Sequence, residues 1–273
     1  MSDAQAAFGR RTFLKLSGAA ALVSGFAPLA SPVVPAGPAT LVLRIRPARV
    51  ELAPGHFVTT TTYDGQLPGP LLRATVGKRV LVDIHNETDT TERVYWHGQK
   101  GVTEEAPDIP AGSVRRMEFT PWRAGLYFYH SSRIAATCLD SGLYSGQVGA
   151  LLVEPGSPSS SRSPEAVIVL QGCEPYLLRT ARGYEVGYES ILVNGRLAAL
   201  QRVDLKAREP RVHVLNASAT DTYSLELPGH TFEVIALDGN LVPSPARVAT
   251  LCLSPGERVC ARVELNTGSP SNL

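Results

Sequence analysis

Apolar residues along most of this chain recur at every second position, which is the period of a β-strand. The segment 41–46 places Leu43 and Ile45 on one face, and the segment 80–85 alternates in the same way. The pattern predicts further strands at 117–119, 126–129, 150–153, 166–170, 191–193, 212–215, 223–227, 231–235, 250–253 and 259–265. No stretch has the period of a long amphipathic helix.

Turn signals separate these segments. The chain contains 24 Gly and 21 Pro among 273 residues, and this punctuation suits short strands joined by tight turns. The clearest pairs are Asp64-Gly65, Asn194-Gly195, Asp238-Gly239 and Pro255-Gly256. Short strands at this spacing predict all-β sandwich architecture.

A change of composition divides the strands into two sets. Residues 155–164 read PGSPSSSRSP, which is typical of a flexible linker. The length of the chain also favours two domains. We predict a first domain at 40–155, a linker at 156–165, a second domain at 166–268 and a polar tail at 269–273.

The first forty residues are typical of a targeting segment. Residues 10–15 read RRTFLK, a twin-arginine signature, and an apolar stretch rich in Ala and Gly follows at 16–29. That stretch is shorter than the ~20 residues a membrane span needs. We therefore predict a twin-arginine signal at 1–39 and a periplasmic or secreted mature protein without a membrane span. A short anchor or an uncleaved signal is the alternative.

Charge and cysteine spacing exclude several functions. The formal net charge is +1, so the basic footprint of a nucleic-acid binder is missing. The four cysteines, at 138, 173, 252 and 260, form no CxxC pair, which argues against a zinc or redox motif. Cys252 and Cys260 flank the Pro255-Gly256 turn on two strands expected to pair. They are either a disulfide across that hairpin or two small buried side chains.

Several ordered motifs resemble one family. They are DGQLPGPLLR at 64–73, YWHGQ at 95–99, AGLYFYHSS at 124–132, LVNGR at 192–196 and LSPGERV at 253–259. This order resembles the first and second cupredoxin domains of multicopper oxidases. The resemblance implies two cupredoxin-like Greek-key β-sandwich domains. It also implies copper-dependent oxidoreductase chemistry wherever the ligand set is intact.

The copper ligands that the resemblance implies are incomplete. The family's oxygen-reducing cluster takes eight histidines as His-x-His pairs, because residues two apart on a strand project from one face. Here Tyr95 precedes His97 where the first pair stands, and Ser132 follows His130 where the second stands. Phenols and hydroxyls are poor copper ligands at neutral pH. His97 and His130 are thus the candidate metal residues, and copper itself is in doubt.

These observations favour an exported multicopper-oxidase-like protein that is inactive alone as an oxidase. The chain has no His-Cys-His segment, so we expect the blue-copper domain to be missing. One alternative is an oxidase completed by another chain, and a second is a weak periplasmic copper carrier using His97 and His130. The face that a third domain would cover is expected to be partly apolar. We therefore predict a homo-oligomer or a partner chain.

The remaining candidate residues are expected to be structural. His56 is predicted to be an exposed turn residue, and His85, His213 and His230 lack a strand-spaced histidine partner. Glu104, Glu105 and Asp108 are expected to form a solvated acidic loop. Trp122 and the aromatic run 127–129 are predicted to be core or interface residues. Cys138 is expected to be a free thiol.

Overall fold

The computed structural model describes residues 39–100, 106–132, 139, 142–156, 165–181, 183–200 and 210–264. All of them fall within one compact unit, Pro35–Leu273. Their regular structure is β, apart from two short 3-10 turns at Gly142–Ser145 and Ala198–Leu200. No helix among them is long and apolar enough to cross a membrane.

Within the residues described, the first sandwich has eight strands in two sheets. The strands are β1 (Leu41–Ala53), β2 (His56–Tyr63), β3 (Gly69–Thr75), β4 (Val80–Asn86), β5 (Val94–His97), β6 (Val114–Phe119), β7 (Gly125–Ser131) and β8 (Val148–Glu154). One sheet has the order β2-β1-β4-β6 and the other β3-β8-β7-β5. The parallel pairs β1–β4 and β3–β8 require connections that cross between the sheets.

The core of the first sandwich follows the alternation seen in the sequence. Leu43, Ile45 and Ile84 face inward from one sheet, and Trp96 and Tyr129 face inward from the other. Each of these five side chains is fully buried. The aromatic rings pack at angles to one another, and the Trp96 and Tyr129 centroids lie 5.4 Å apart. Burial of such rings dominates the energy of a core of this size.

The described part of the second sandwich has nine strands. They are β9 (Glu165–Thr180), β10 (Gly183–Val193), β11 (Arg196–Leu197), β12 (Arg211–Asn216), β13 (Tyr223–Glu226), β14 (Thr231–Leu237), β15 (Asn240–Val248), β16 (Thr250–Leu253) and β17 (Arg258–Glu264). Seven form a sheet in the order β11-β10-β9-β12-β17-β14-β15, and β13 pairs with β16. Asp238 and Gly239 join β14 to β15 with positive φ at both positions, 49° and 78°. Two left-handed residues in succession match the twist of a hairpin.

The two sandwiches pack on each other through apolar side chains. Leu126, Phe128 and Leu152 of β7 and β8 contact Val169 and Leu215 of β9 and β12. These side chains lie on the outer faces of their own sheets, so each sandwich covers part of the other. A site at this junction can therefore draw residues from both sandwiches.

The all-β sandwich prediction is confirmed, and two details of it are wrong. Cys252 lies on β16, which pairs with β13, whereas Cys260 lies on β17 in the seven-stranded sheet. The two strands do not form a hairpin, and both cysteines are free thiols. The chain turns at Pro255-Gly256 to cross from one sheet to the other. The pattern also missed the extension of β9 and β10, where Tyr176, Leu177 and Tyr184 are exposed.

Candidate metal site between the sandwiches

Two antiparallel strands, β5 and β7, place the candidate histidines on one face. Tyr95 lies directly opposite His130, and His97 lies opposite Phe128. The intervening residues point into the core of the first sandwich, so these four side chains share the opposite face. The argument that residues two apart share a face is thus correct for Tyr95 and His97, and the register of β5 with β7 adds His130 to the same face.

The three rings that carry polar atoms form a nearly equilateral triangle. The centroids of His97 and His130 are 6.1 Å apart. The Tyr95 ring lies 5.8 Å from His97 and 5.3 Å from His130. Phe128 stacks on His97 at 4.3 Å. The imidazoles are therefore held by aromatic neighbours, and the phenol forms the third corner.

Burial keeps both imidazoles neutral at neutral pH. It lowers the pKa of His97 to about 4, helped by the nearby charge of Arg258. Burial also lowers the pKa of His130. The His130 Nδ1 atom lies 2.8 Å from the Ser131 carbonyl oxygen, so Nδ1 carries the hydrogen and donates it. In this tautomer the lone pair of His130 is on Nε2, the atom through which metal-binding histidines commonly coordinate.

The second sandwich forms the other wall of this cavity, whose volume is about 540 Å³. Asn216, Ala217, Ser218 and Gly256 line it opposite the histidines. The Asn216 side chain donates to the Asp221 and Leu253 carbonyls at 2.8 Å each, which fixes this wall.

Arg258 is a residue that the sequence argument missed. It is 6% exposed, and its Nε atom donates to the Leu126 carbonyl at 3.1 Å across the junction. A second nitrogen donates to the Gly256 carbonyl at 2.8 Å. Strand alternation places Arg258 on the outer face of its sheet, where a solvated charge is expected. No signal in the strand period could have found it, because only the packing of the first sandwich buries it.

The donor set does not fit the oxygen-reducing cluster that the resemblance implies. Two imidazoles are present, and a phenol and a hydroxyl stand where their partners would be. The Ser132 Oγ atom is buried and has no hydrogen-bond partner among the described residues. Within those residues, no three His, Cys, Asp or Glu side chains come together in a way that could hold a metal ion. His97 and His130 therefore offer at most an open, two-nitrogen site.

The other histidines lie elsewhere. The prediction that His56 is an exposed turn residue is wrong, because it begins β2 and its Nε2 atom lies 3.0 Å from Glu174 Oε1. His85 is half-buried on β4, and His213 and His230 are buried.

The acidic loop and Trp122 also have particular environments. Asp108 forms an ion pair with Arg93, whereas Glu104, Glu105 and Cys138 lie outside the described residues. Trp122 is 43% exposed, with Lys100 and Arg123 over its ring, so of the core-or-interface prediction the core half is wrong for this residue.

Comparisons with known proteins agree on one family. A model described as multicopper oxidase matches residues 44–158, and a second with the same description matches 176–272. Multicopper oxidase MmcO of Mycobacterium tuberculosis (strain ATCC 25618 / H37Rv) is 26% identical, over 80% of this chain and 50% of its own. Multicopper oxidase mco of Staphylococcus aureus is also 26% identical, over 79% and 51%. The chain spans about half the length of these curated relatives.

Solved structures agree with this result. A multi-copper oxidase from Pseudomonas Thermotolerans is 28% identical and has a TM-score of 0.69, covering 84% of this chain and 59% of that one. Multicopper Oxidase mgLAC has the same TM-score at 22% identity, covering 82% and 75%, and supports the fold alone. The predicted pair of cupredoxin-like domains is confirmed, and family membership implies copper binding. The ordered motifs, the two sandwiches and the matched models together show that this chain belongs to the multicopper oxidase family.

Proposed function

We propose that this chain is an exported multicopper-oxidase-like protein that does not reduce dioxygen with the ligands it carries itself. The observation that supports this most directly is the position of Tyr95. Its ring takes the third corner of the triangle with His97 and His130, at the place where the family resemblance expects an imidazole. A cluster that needs paired imidazoles from one strand face therefore loses half of each pair.

Oxygen consumption by the copper-loaded protein tests this proposal. The purified chain is loaded with copper without oxygen, desalted, and assayed with a phenolic or cuprous donor. We expect no consumption above that of a copper-free blank. Sustained consumption by the chain alone would overturn the proposal. Consumption only after addition of a chain carrying a blue-copper domain would support a two-chain oxidase instead. We also propose that the chain forms a homo-oligomer or binds a partner chain, and a clean monomer in sedimentation at micromolar concentration would count against this.

A second candidate function is weak copper binding by His97 and His130. Both imidazoles are neutral at neutral pH, and the Nδ1–H of His130 is fixed by the Ser131 carbonyl. These are conditions for coordination through Nε2. Replacing His97 and His130 with Gln should abolish weak retention of Cu(II), which prefers imidazole nitrogen to a protonated thiol. His85→Gln on β4, in the opposite sheet of the same sandwich, is the matched control and should retain it. Equal retention in all three proteins would contradict this candidate.

Export is a separate part of the proposal and depends on residues 10–15. Replacing Arg10 and Arg11 with Lys keeps the charge and removes the paired arginines. We expect the variant to stay in the cytoplasmic fraction of a bacterium with twin-arginine transport, whereas the parent chain reaches the periplasm. Export of both proteins to the same extent would argue against this route.

A further inference from the structure

A second and larger cavity, of about 1010 Å³, lies at the junction of the sandwiches. Its walls include Leu126 and Leu152 from the first sandwich and Leu241 from the hairpin of β14 and β15. On the second sandwich, the outer face of the seven-stranded sheet contributes His213 and Cys260. This cavity is separate from the one that contains His97 and His130.

Cross-strand register brings these two ligand-type side chains together. His213 on β12 lies directly opposite Cys260 on β17. The neighbouring residues Val212 and Ala261 point into the core of the second sandwich, so His213 and Cys260 share the outer face. Neither residue has a metal-type partner two positions away on its own strand. The pair exists only because two strands that are 47 residues apart in sequence are adjacent in the sheet.

His213 is an unusual buried group. It is 5% exposed, and its Nδ1 atom has no hydrogen-bond partner among the described residues. The Cys260 Sγ atom lies 3.9 Å from the His213 Nε2 atom. The Glu165 Oε2 atom lies 3.8 Å from the same Nε2 atom. Glu165 is itself bonded to Arg211 at 3.0 Å. The unpaired atom is Nδ1, whereas Nε2 faces the thiol and the carboxylate at 3.9 and 3.8 Å, both longer than an ordinary N–H···O hydrogen bond.

The separation of sulfur and nitrogen suits one bridging metal ion. Bonds of about 2.3 Å to sulfur and about 2.0 Å to nitrogen would span the 3.9 Å gap with an angle of about 130° at the ion. We propose that the Cys260 thiolate and the His213 Nε2 atom bind a soft monovalent cation, Cu(I). A soft thiolate selects Cu(I) or Zn(II). Zinc sites normally take four ligands, whereas Cu(I) is stable at low coordination numbers.

Binding requires the thiol to release its proton. Burial raises the pKa of Cys260 to about 12, so the thiol is protonated at neutral pH. The step is an exchange: the S–H bond breaks, the S–Cu bond forms, and one proton passes to solvent. The thiolate and the monovalent ion make a neutral unit, which suits a buried site. Arg211 and Arg262 border it, and each is compensated by its own carboxylate, Glu165 and Glu233.

Competition for Cu(I) against a chromophoric chelator, without oxygen, tests this site in the full chain. We expect one equivalent of Cu(I) with thiolate-to-copper charge-transfer absorption in the near ultraviolet. Cys260→Ser should remove that absorption and weaken binding at least ten-fold, by about the factor that disturbing a metal site costs. His213→Gln should weaken binding to a similar extent.

Matched variants make the result decisive. Cys252→Ser removes an exposed thiol on β16 and should bind Cu(I) as the parent does. Replacing His97 and His130 should also leave the charge-transfer absorption unchanged. Cys260→Ala repeats the test, and circular dichroism checks that each variant folds. Unchanged binding in Cys260→Ser, or loss in Cys260→Ser without loss in His213→Gln, would overturn the paired site. Loss confined to the His97 and His130 variants would overturn it as well.

Discussion

The two cavities at the sandwich junction hold histidines in opposite situations. In the smaller cavity, His97 stacks on Phe128 and His130 donates to a backbone carbonyl. In the larger cavity, His213 is buried, its Nδ1 atom is unpaired among the described residues, and a thiol lies 3.9 Å from Nε2. In the cavity that carries the family's motif, stacking and a hydrogen bond thus satisfy both imidazoles. The site without a motif has the polar group that packing leaves unsatisfied.

The difference shows that ligands on one strand and ligands on neighbouring strands respond differently to substitution. Ligand positions two apart on one strand keep their common face even when one of them is replaced, as Tyr95 beside His97 shows. Ligands on neighbouring strands depend on register, which the whole sheet maintains. Arg258 connects the two cavities. It lines the larger cavity, and its guanidinium lies 5.6 Å from the ring of Phe128, which lines the smaller cavity.

The largest expected effect comes from removing that arginine. Arg258→Met removes the hydrogen-bond donors to the buried Leu126 carbonyl and the part-buried Gly256 carbonyl, and should lower the free energy of unfolding by about 3 kcal/mol. Chemical denaturation measures this. Arg262→Met, on the same strand, removes a half-exposed pair with Glu233 at 2.5 Å and should cost less than about 1 kcal/mol. Equal losses would mean that Arg258 does not join the two sandwiches.

Restoring the family's ligands should have the next largest effect. Tyr95→His combined with Ser132→His rebuilds both strand-spaced pairs beside His97 and His130. Copper affinity should rise by about a hundred-fold, because four imidazoles replace two in one cavity. Competition titration measures the change. Tyr95→Phe combined with Ser132→Ala is the control without new nitrogens and should show no gain. A double-histidine variant no tighter than this control would show that the four positions do not converge.

Acid should destabilise the protein through His97. Its pKa is about 4 when folded and about 6.5 when unfolded, so the unfolded chain binds the extra proton first. Stability is therefore present above about pH 6.5 and is lost as pH falls toward about 4. The loss should be roughly 1–2 kcal/mol, reduced by partial solvation of the ring. NMR titration of the ring gives the pKa directly. His97→Leu should flatten this part of the stability profile, and an unchanged profile would contradict the assignment.

The smallest expected effect is at His213. Replacing a buried, poorly bonded imidazole with an apolar side chain should be nearly neutral, within roughly a few tenths of a kcal/mol. His213→Leu should therefore unfold at nearly the parent's denaturant midpoint. His130→Leu loses the bond to Ser131 and should be destabilised by about 1 kcal/mol. A large loss at His213 would show that its imidazole serves packing and would remove the contrast between the cavities.

Much of the fold could be predicted from alternation and turn residues. The predicted strands formed, and the Asp238-Gly239 turn adopts the left-handed geometry that its sequence favours. The prediction failed where a strand's partner had to be known. Cys252 and Cys260 flank a tight turn, yet their strands belong to different sheets. A Pro-Gly turn indicates that the chain changes direction and carries no information on which strand it then joins.

By itself, the sequence determined the strand faces, the two sandwiches and the survival of one histidine from each family pair. These properties are local, because the period of a strand is set by its own backbone. Only the tertiary structure decided which groups are buried and which meet across strands. Arg258 is buried, and bonds to the Leu126 carbonyl of the first sandwich, because that sandwich covers it. His213 and Cys260 became neighbours because register and sheet order join segments distant in sequence, and neither is encoded in any single segment.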